Sequence, residues 1–133
     1  MRTIPVTISK APDGSYWCHT EEDVFDSGIN SNGKSVKEAK ADLMDCLDES
    51  RTVFLENGGN PEPVSFVYKY DLRSFFDYFS FFNVTEIAKR AGINPSLMRQ
   101  YVSGLKNAGE KTYSRLDNCI REIARELQAT SFP

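Results

Sequence analysis

The sequence predicts an α+β protein: a small β-β-β-α-β sheet unit over residues 1–70, followed by an all-helical unit over 71–133. Three observations carry that prediction. Short runs rich in β-branched and aromatic residues, bounded by turn residues, fill the start of the chain. One long amphipathic stretch with its own start and stop signals follows them. Past residue 70 the apolar period changes from 2 to 3.6 and stays there.

Each element follows from local chemistry. RTIPVTIS (2–9) reads as a strand, APDG (11–14) is turn chemistry, and SYWCHT (15–20) returns as a second strand to close a hairpin. VFDSGI (24–29) is expected as a third strand and NSNGK (30–34) as a loop. In SVKEAKADLMDCLDESRTVFLENGG, Ser35 with Glu38 three residues on forms a capping box. Val36, Ala39, Leu43, Leu47 and Phe54 share one helical face, and Gly58-Gly59 stops the helix. VSFVYKY (64–70) is the fourth strand, so the first unit closes as one sheet with a helix packed on it.

Beyond the sheet, Leu72, Phe75, Phe76 and Phe79 form an apolar face, with Tyr78 and Phe81 turned away from it. That aromatic run is expected to be core or subunit interface rather than a base-stacking surface for RNA. NVTE (83–86) is a second capping box and opens EIAKRA, which ends at Gly92. Asn94-Pro95 caps the next helix, with proline in the first turn where its missing amide costs nothing; that helix runs to Gly104. A last helix carries Tyr113, Leu116, Ile120, Ile123 and Leu127 at helical spacing.

Composition narrows the function classes. At 40% apolar and 26% charged residues, the chain reads as soluble and globular. The opening MRTIPVTISK has no apolar run of signal-peptide length, and FVYKYDLRSFFDYFSFF is interrupted by Lys69, Asp71, Arg73 and Asp77. A cytoplasmic protein with no membrane partner is expected. Three scattered cysteines (Cys18, Cys46, Cys119) argue against a disulfide framework and against a CxxC metal knuckle. His19 is the only histidine, too few for a tetrahedral metal site or for a base to activate Cys18, so no metal, cofactor or catalytic residue is expected. Net charge splits sharply. Residues 1–82 carry eight Lys/Arg against fourteen Asp/Glu, net −6, whereas 83–133 carry eight against five, net +3. Two different partners suit such halves, the basic one being the candidate for nucleic acid.

Two short helices joined by a tight glycine turn are the helix-turn-helix pattern. Ile87, Ala88 and Ala91 supply the inner face of the first helix, Ile93 plugs the angle, and Met98 and Tyr101 point inward from the second. The run EIAKRAGINPSLMRQYVSGLKNAGEKTYSRLDNCIREIARELQ resembles the phage-repressor-like (XRE-type) helix-turn-helix family. Under that resemblance Ser96, Arg99 and Gln100 fall where the family reads bases, with Ser103 on the same helix. Asn83, Lys106, Asn107 and Lys111 fall where phosphate contacts arise. Pro95 departs from the pattern, since the family often has a base-reading glutamine there; Leu97 is also more apolar than expected, a residue type suited to a thymine methyl. The alternative is a helix pair that binds only protein.

The N-terminal order of hairpin, third strand and Gly33-Lys34-Ser35-Val36-Lys37-Glu38-Ala39 opening an amphipathic helix looks like the HicB antitoxin family. The resemblance implies a partial RNase H-like sheet domain over 1–70 that neutralises a HicA-like ribonuclease toxin. It also implies a DNA-binding domain over 71–133 that represses the operon. EEDVFDSG (21–28) departs from the proline-glycine turn common in that family. The acids Glu21, Glu22, Asp23 and Asp26 form a contiguous run with no matching acids on neighbouring strands. A run suits a basic protein partner better than the converging carboxylates of a two-metal nuclease. Repressors of this type pair to span two half-sites, so a homodimer or higher homo-oligomer on operator DNA is expected. The rival readings are a stand-alone regulator with a ligand-sensing sheet domain and a metal-dependent nuclease.

Overall fold

The computed structural model describes residues Met1–Pro133. The chain is mixed α+β, with a four-stranded mixed sheet and five helices. Its elements are β1 (Arg2–Lys10), β2 (Tyr16–Thr20), β3 (Asn30–Gly33), α1 (Val36–Glu56), β4 (Val64–Tyr70), α2 (Leu72–Tyr78), α3 (Val84–Ala91), α4 (Pro95–Ser103) and α5 (Glu110–Gln128). They form two compact units, Met1–Tyr78 and Phe79–Pro133. No helix is long and apolar enough to cross a membrane.

In the first unit the sheet order is β3-β2-β1-β4, antiparallel except for the parallel β1–β4 pair. Period-two alternation on β1 sends Ile4, Val6 and Ile8 into the core against Val36, Ala39, Leu43 and Leu47 of α1, all essentially buried. Each such side chain contributes about 1.5–3 kcal/mol by leaving water. Pro5 is tolerated in this central strand because its nitrogen faces β2 just where that strand has ended at Thr20.

The Gly33–Ala39 box is explained residue by residue. A Cβ on Gly33 would stand 2.6 Å from the Ala39 nitrogen, so only glycine lets β3 run this close to α1. Ser35 Oγ accepts from the Glu38 amide at 3.1 Å, and Glu38 Oε2 accepts from the Lys34 amide at 2.8 Å. Ala39 is fully buried. The Val36 amide is taken by Asp77 Oδ2 at 3.1 Å, a cap supplied from α2.

The third strand is not where the sequence suggests. Stretch 24–29 is a tight turn in which Val24 and Ser27 exchange backbone bonds of 2.8 and 3.2 Å. Phe25 and Asp26 sit at positive φ (52° and 70°), outside strand geometry. Val24 and Ile29 are apolar because they plug the core. The polar stretch Asn30–Gly33, expected as a loop, is the strand. It can be polar because α1 serves its groups: Ser31 Oγ donates to Ala39 O at 2.8 Å, and the Asn32 amide donates to Asp42 Oδ2 at 3.1 Å.

Helix α2 packs with this unit, one element past the expected division at 70/71. Leu72 and Phe76 are buried in it, and Tyr78 stacks on Tyr70 with centroids 6.2 Å apart. The Lys40 ammonium lies 4.0 and 3.8 Å from the Tyr68 and Tyr78 ring centres and donates to Tyr70 Oη at 2.6 Å. The helix ends at Tyr78. Phe79 lies beyond it and is in ring contact with Phe81 and Phe82.

The second unit has a thin core of Ile87, Ala88, Ile93, Met98, Leu116 and Cys119. The apolar stripe expected on the last helix is only half used: Leu116 is buried, while Leu127 is 62% exposed.

Candidate nucleic-acid interface and acidic face

The α3–α4 corner is built by its caps. Asn83 Oδ1 accepts from the Glu86 amide at 3.0 Å to start α3, and Asn94 Oδ1 accepts from the Leu97 amide at 3.1 Å to start α4. Between them Gly92 adopts φ 73°, its amide bonds Lys89 O and the Ile93 amide bonds Ala88 O at 2.9 Å. That is a Schellman end, closed by the buried Ile93 side chain. Arg115 of α5 ties the corner down by donating to Gly92 O at 3.1 Å.

Met98 is fully buried and Tyr101 half-buried, which fixes the roll of α4. Ser96, Arg99, Gln100 and Ser103, at i, i+3, i+4 and i+7, therefore share one face of the helix. Ser96, Arg99 and Ser103 are exposed and Gln100 is half-buried. The face is internally linked. Arg99 donates to Ser96 Oγ at 3.2 Å and across to Thr85 Oγ1 of α3 at 3.1 Å. Ser103 spends its hydroxyl on Gln100 O at 3.1 Å, which leaves it less available to an outside ligand. Asn83 likewise spends its side-chain oxygen on the cap but keeps its amide group.

Lys106 and Asn107 lie in the loop after α4, and Lys111 lies in the first turn of α5, all exposed. Of the eight cations of this unit, Lys89, Arg90 and Arg121 are ion-paired with Glu86, Glu126 and Asp117 and Arg115 is held on Gly92 O, whereas Arg99, Lys106, Lys111 and Arg125 have no carboxylate partner. Thr85 and Arg115 are residues of this corner that sequence reasoning missed; nothing in the sequence links Thr85 to Arg99 fourteen positions on, or Arg115 to Gly92.

The acidic run does not act as one cluster. Glu21 accepts from Thr7 Oγ1 at 2.7 Å and pairs with Lys69 at 3.1 Å, and these two partners hold its carboxyl below the ordinary range. Glu22 pairs with Arg2 at 2.9 Å, and Arg2 also bonds Asp23 O at 2.8 Å and reaches Glu62 at 3.7 Å. Asp23 and Asp26 have no ion-pair partner. They border a hollow of about 250 Å³ with Phe25, Phe54, Asn60 and Glu62, where Phe25 stacks on Phe54 at 5.4 Å and Arg51 covers the Phe25 ring.

No three His, Cys, Asp or Glu side chains are placed to hold a metal ion. Burial pushes the Cys18 thiol above its ordinary value, away from a nucleophilic thiolate. No family model, curated protein or solved structure matches the chain.

Proposed function

We propose that the second unit binds operator DNA through α4 and that the first unit binds a small basic ribonuclease, the two activities of a HicB-type antitoxin. The observation that carries this reading is the division of cations. Those on α4, the following loop and the start of α5 are free of carboxylates, while Lys89, Arg90 and Arg121 are neutralised in place and Arg115 is held on Gly92 O. A helix whose outward face offers Ser96, Arg99 and Gln100, flanked by unpaired Lys106 and Lys111, has the groups that bond base edges and phosphates. The buried Met98 face leaves that side of α4 open to a groove.

For the first unit, the acids Glu21, Glu22, Asp23 and Asp26 give a surface suited to a cationic partner by long-range attraction. Asp23 and Asp26 offer unpaired charge; Glu21 and Glu22 must exchange Lys69 and Arg2 for the partner's cations. A protein is favoured over a sensed small ligand because the exposed, unpaired carboxylates suit a cationic surface, and the hollows beside Phe25, about 250 and 300 Å³, lie at the small end of ligand pockets. No catalysis by this chain is required.

Two measurements on the full chain test the reading. Gel-shift titration against the DNA upstream of its own gene should give a preferred site with strong salt dependence. Co-purification with the product of the adjacent gene should give a complex that Asp23→Lys with Asp26→Lys weakens and that silences ribonuclease activity. Binding to neither the DNA nor the neighbouring product would overturn it.

A further inference from the structure

The two edges of the sheet are treated differently. On β3, pairing with β2 turns the backbone groups of Asn32 outward, and the Asp42 carboxylate accepts its amide at 3.1 Å. Helix α1 thus occupies part of that edge. On β4, Ile4 lies opposite Phe66 and Val6 opposite Tyr68, while the Arg2 amide bonds Pro63 O at 3.1 Å and the Asp71 amide bonds Ile8 O at 3.3 Å. Parallel pairing then commits the amides and carbonyls of Ser65, Val67 and Lys69 to β1 and turns those of Phe66 and Tyr68 outward. No backbone or side-chain group of the chain takes the Phe66 or Tyr68 amide. Water can solvate such a row, but it is also a ready-made template for another extended strand.

We propose that β4 pairs with β4 of a second copy, antiparallel about a two-fold axis at Val67, joining two four-stranded sheets into one of eight strands. The strand is self-complementary in that register. Phe66 of one copy faces Tyr68 of the other, so the outward groups bond each other and the same pair recurs across the axis. Their side chains extend the aromatic row Phe66, Tyr68, Tyr70 of the core face. On the other face Ser65 meets Lys69, whose charge is already neutralised by Glu21 at 3.1 Å, so no like charges are opposed. Val67, 52% exposed, meets its own copy. Pro61 and Pro63 bound the pairing at one end. A heterologous peptide would satisfy the backbone but has no reason to match this symmetric pattern.

Because the Val67 amide points to β1, Val67 and its copy form a non-hydrogen-bonded pair with Cα atoms about 4.5 Å apart, inside disulfide range. In full-length protein carrying Cys46→Ala, Val67→Cys should cross-link into a covalent dimer under mild oxidation at least about tenfold faster than Val53→Cys, an exposed position on α1. Val67→Lys and Val67→Glu, each checked for folding by circular dichroism, should lose association through the sheet unit. Mixing the two should restore it as a heterodimer, because opposite charges then face each other. Cross-linking by Val67→Cys no faster than by Val53→Cys, or no gain on mixing the charge variants, overturns the proposal. Neither readout involves DNA or a ribonuclease, so this pairing stands or falls apart from the functional reading above.

Discussion

Arg99 separates the two roles open to α4. Its guanidinium bonds Thr85 Oγ1 at 3.1 Å and Ser96 Oγ at 3.2 Å, so it clamps α4 to the start of α3 while standing on the outward face. As a clamp it is weak. Both bonds are exposed, water competes for them, and their combined loss in Arg99→Ala should cost about 1 kcal/mol of stability. As a base reader it is worth more. A bidentate contact contributes about 1–3 kcal/mol, a roughly five- to 150-fold loss on the preferred site. Thr85→Val keeps the shape of α3, removes one clamp bond and leaves the guanidinium intact. DNA affinity by anisotropy titration, with thermal unfolding recorded beside it, distinguishes the roles. Arg99→Ala should lose affinity for the preferred site far more than for unrelated DNA, and Thr85→Val should change affinity less than about threefold. If both variants lose affinity equally, in step with their melting temperatures, Arg99 is a structural clamp and α4 does not read bases.

Three further outcomes follow from the packing and the charge pairs. Leu43 is fully buried beneath the sheet, so Leu43→Ala should lower unfolding free energy by about 2–5 kcal/mol in denaturant titrations followed by Trp17 fluorescence; a loss below 1 kcal/mol would contradict the core assignment. At Gly92, a Cβ would meet nothing within 4 Å, so Gly92→Ala should cost only the left-handed backbone strain, about 1–2 kcal/mol. Hydrogen exchange of α3 and α4 amides should then quicken about five- to thirtyfold, and unchanged exchange would show the turn to be unstrained. The Glu21 carboxyl is held below its ordinary 4.5, first by Thr7 and then by Lys69. A depressed folded value means that its contribution is complete above pH 4.5 and is lost as pH falls through the lowered value. Glu21→Gln should therefore flatten the acid limb of melting temperature against pH, and a limb superimposable on wild type would remove Glu21 from the balance.

The sequence carried the local chemistry and missed what distant residues supply. Ser35 with Glu38, Asn83 with Glu86 and the Gly92 turn are all read within a few residues; both N-caps form, while the returning carboxylate bonds the Lys34 amide at the first and Lys89 at the second. Hydrophobicity alone misplaces the third strand. Val24 and Ile29 are apolar as core plugs on a turn that Phe25 and Asp26 enter at positive φ, whereas Asn30–Gly33 is polar yet extended. Only the Ser31 and Asn32 bonds to α1 make that polar strand tolerable, and neither is visible without the fold. The attachment of helix α2 to the sheet unit is hidden for a similar reason. It rests on Asp77 capping Val36, forty-one residues away, and on Lys40 lying against Tyr68 and Tyr78. At the acidic run, sequence showed the charge but not its cancellation by Arg2 and Lys69, which arrive from other strands.

The charge asymmetry between the halves acquires physical meaning once the pairs are assigned. Residues 79–82, Phe-Ser-Phe-Phe, carry no charge, so the net −6 and +3 of the sequence fall on the two compact units themselves. A net +3 is modest, and distributed evenly it would attract DNA weakly. It is not distributed evenly. Lys89, Arg90 and Arg121 hold Glu86, Glu126 and Asp117, while Arg99, Lys106 and Lys111 are left to act outward from α4 and its flanking loop. Each phosphate neutralised on duplex DNA adds about −0.9 to the slope of log affinity against log salt. If Arg99, Lys106 and Lys111 each neutralise one phosphate, that slope is about −3 per bound copy, and Lys106→Ala should reduce its magnitude by about 1. A slope steeper than about −5 per copy would require Lys89, Arg90 or Arg121 to abandon their carboxylates on binding, and would place the DNA on a different face of the unit.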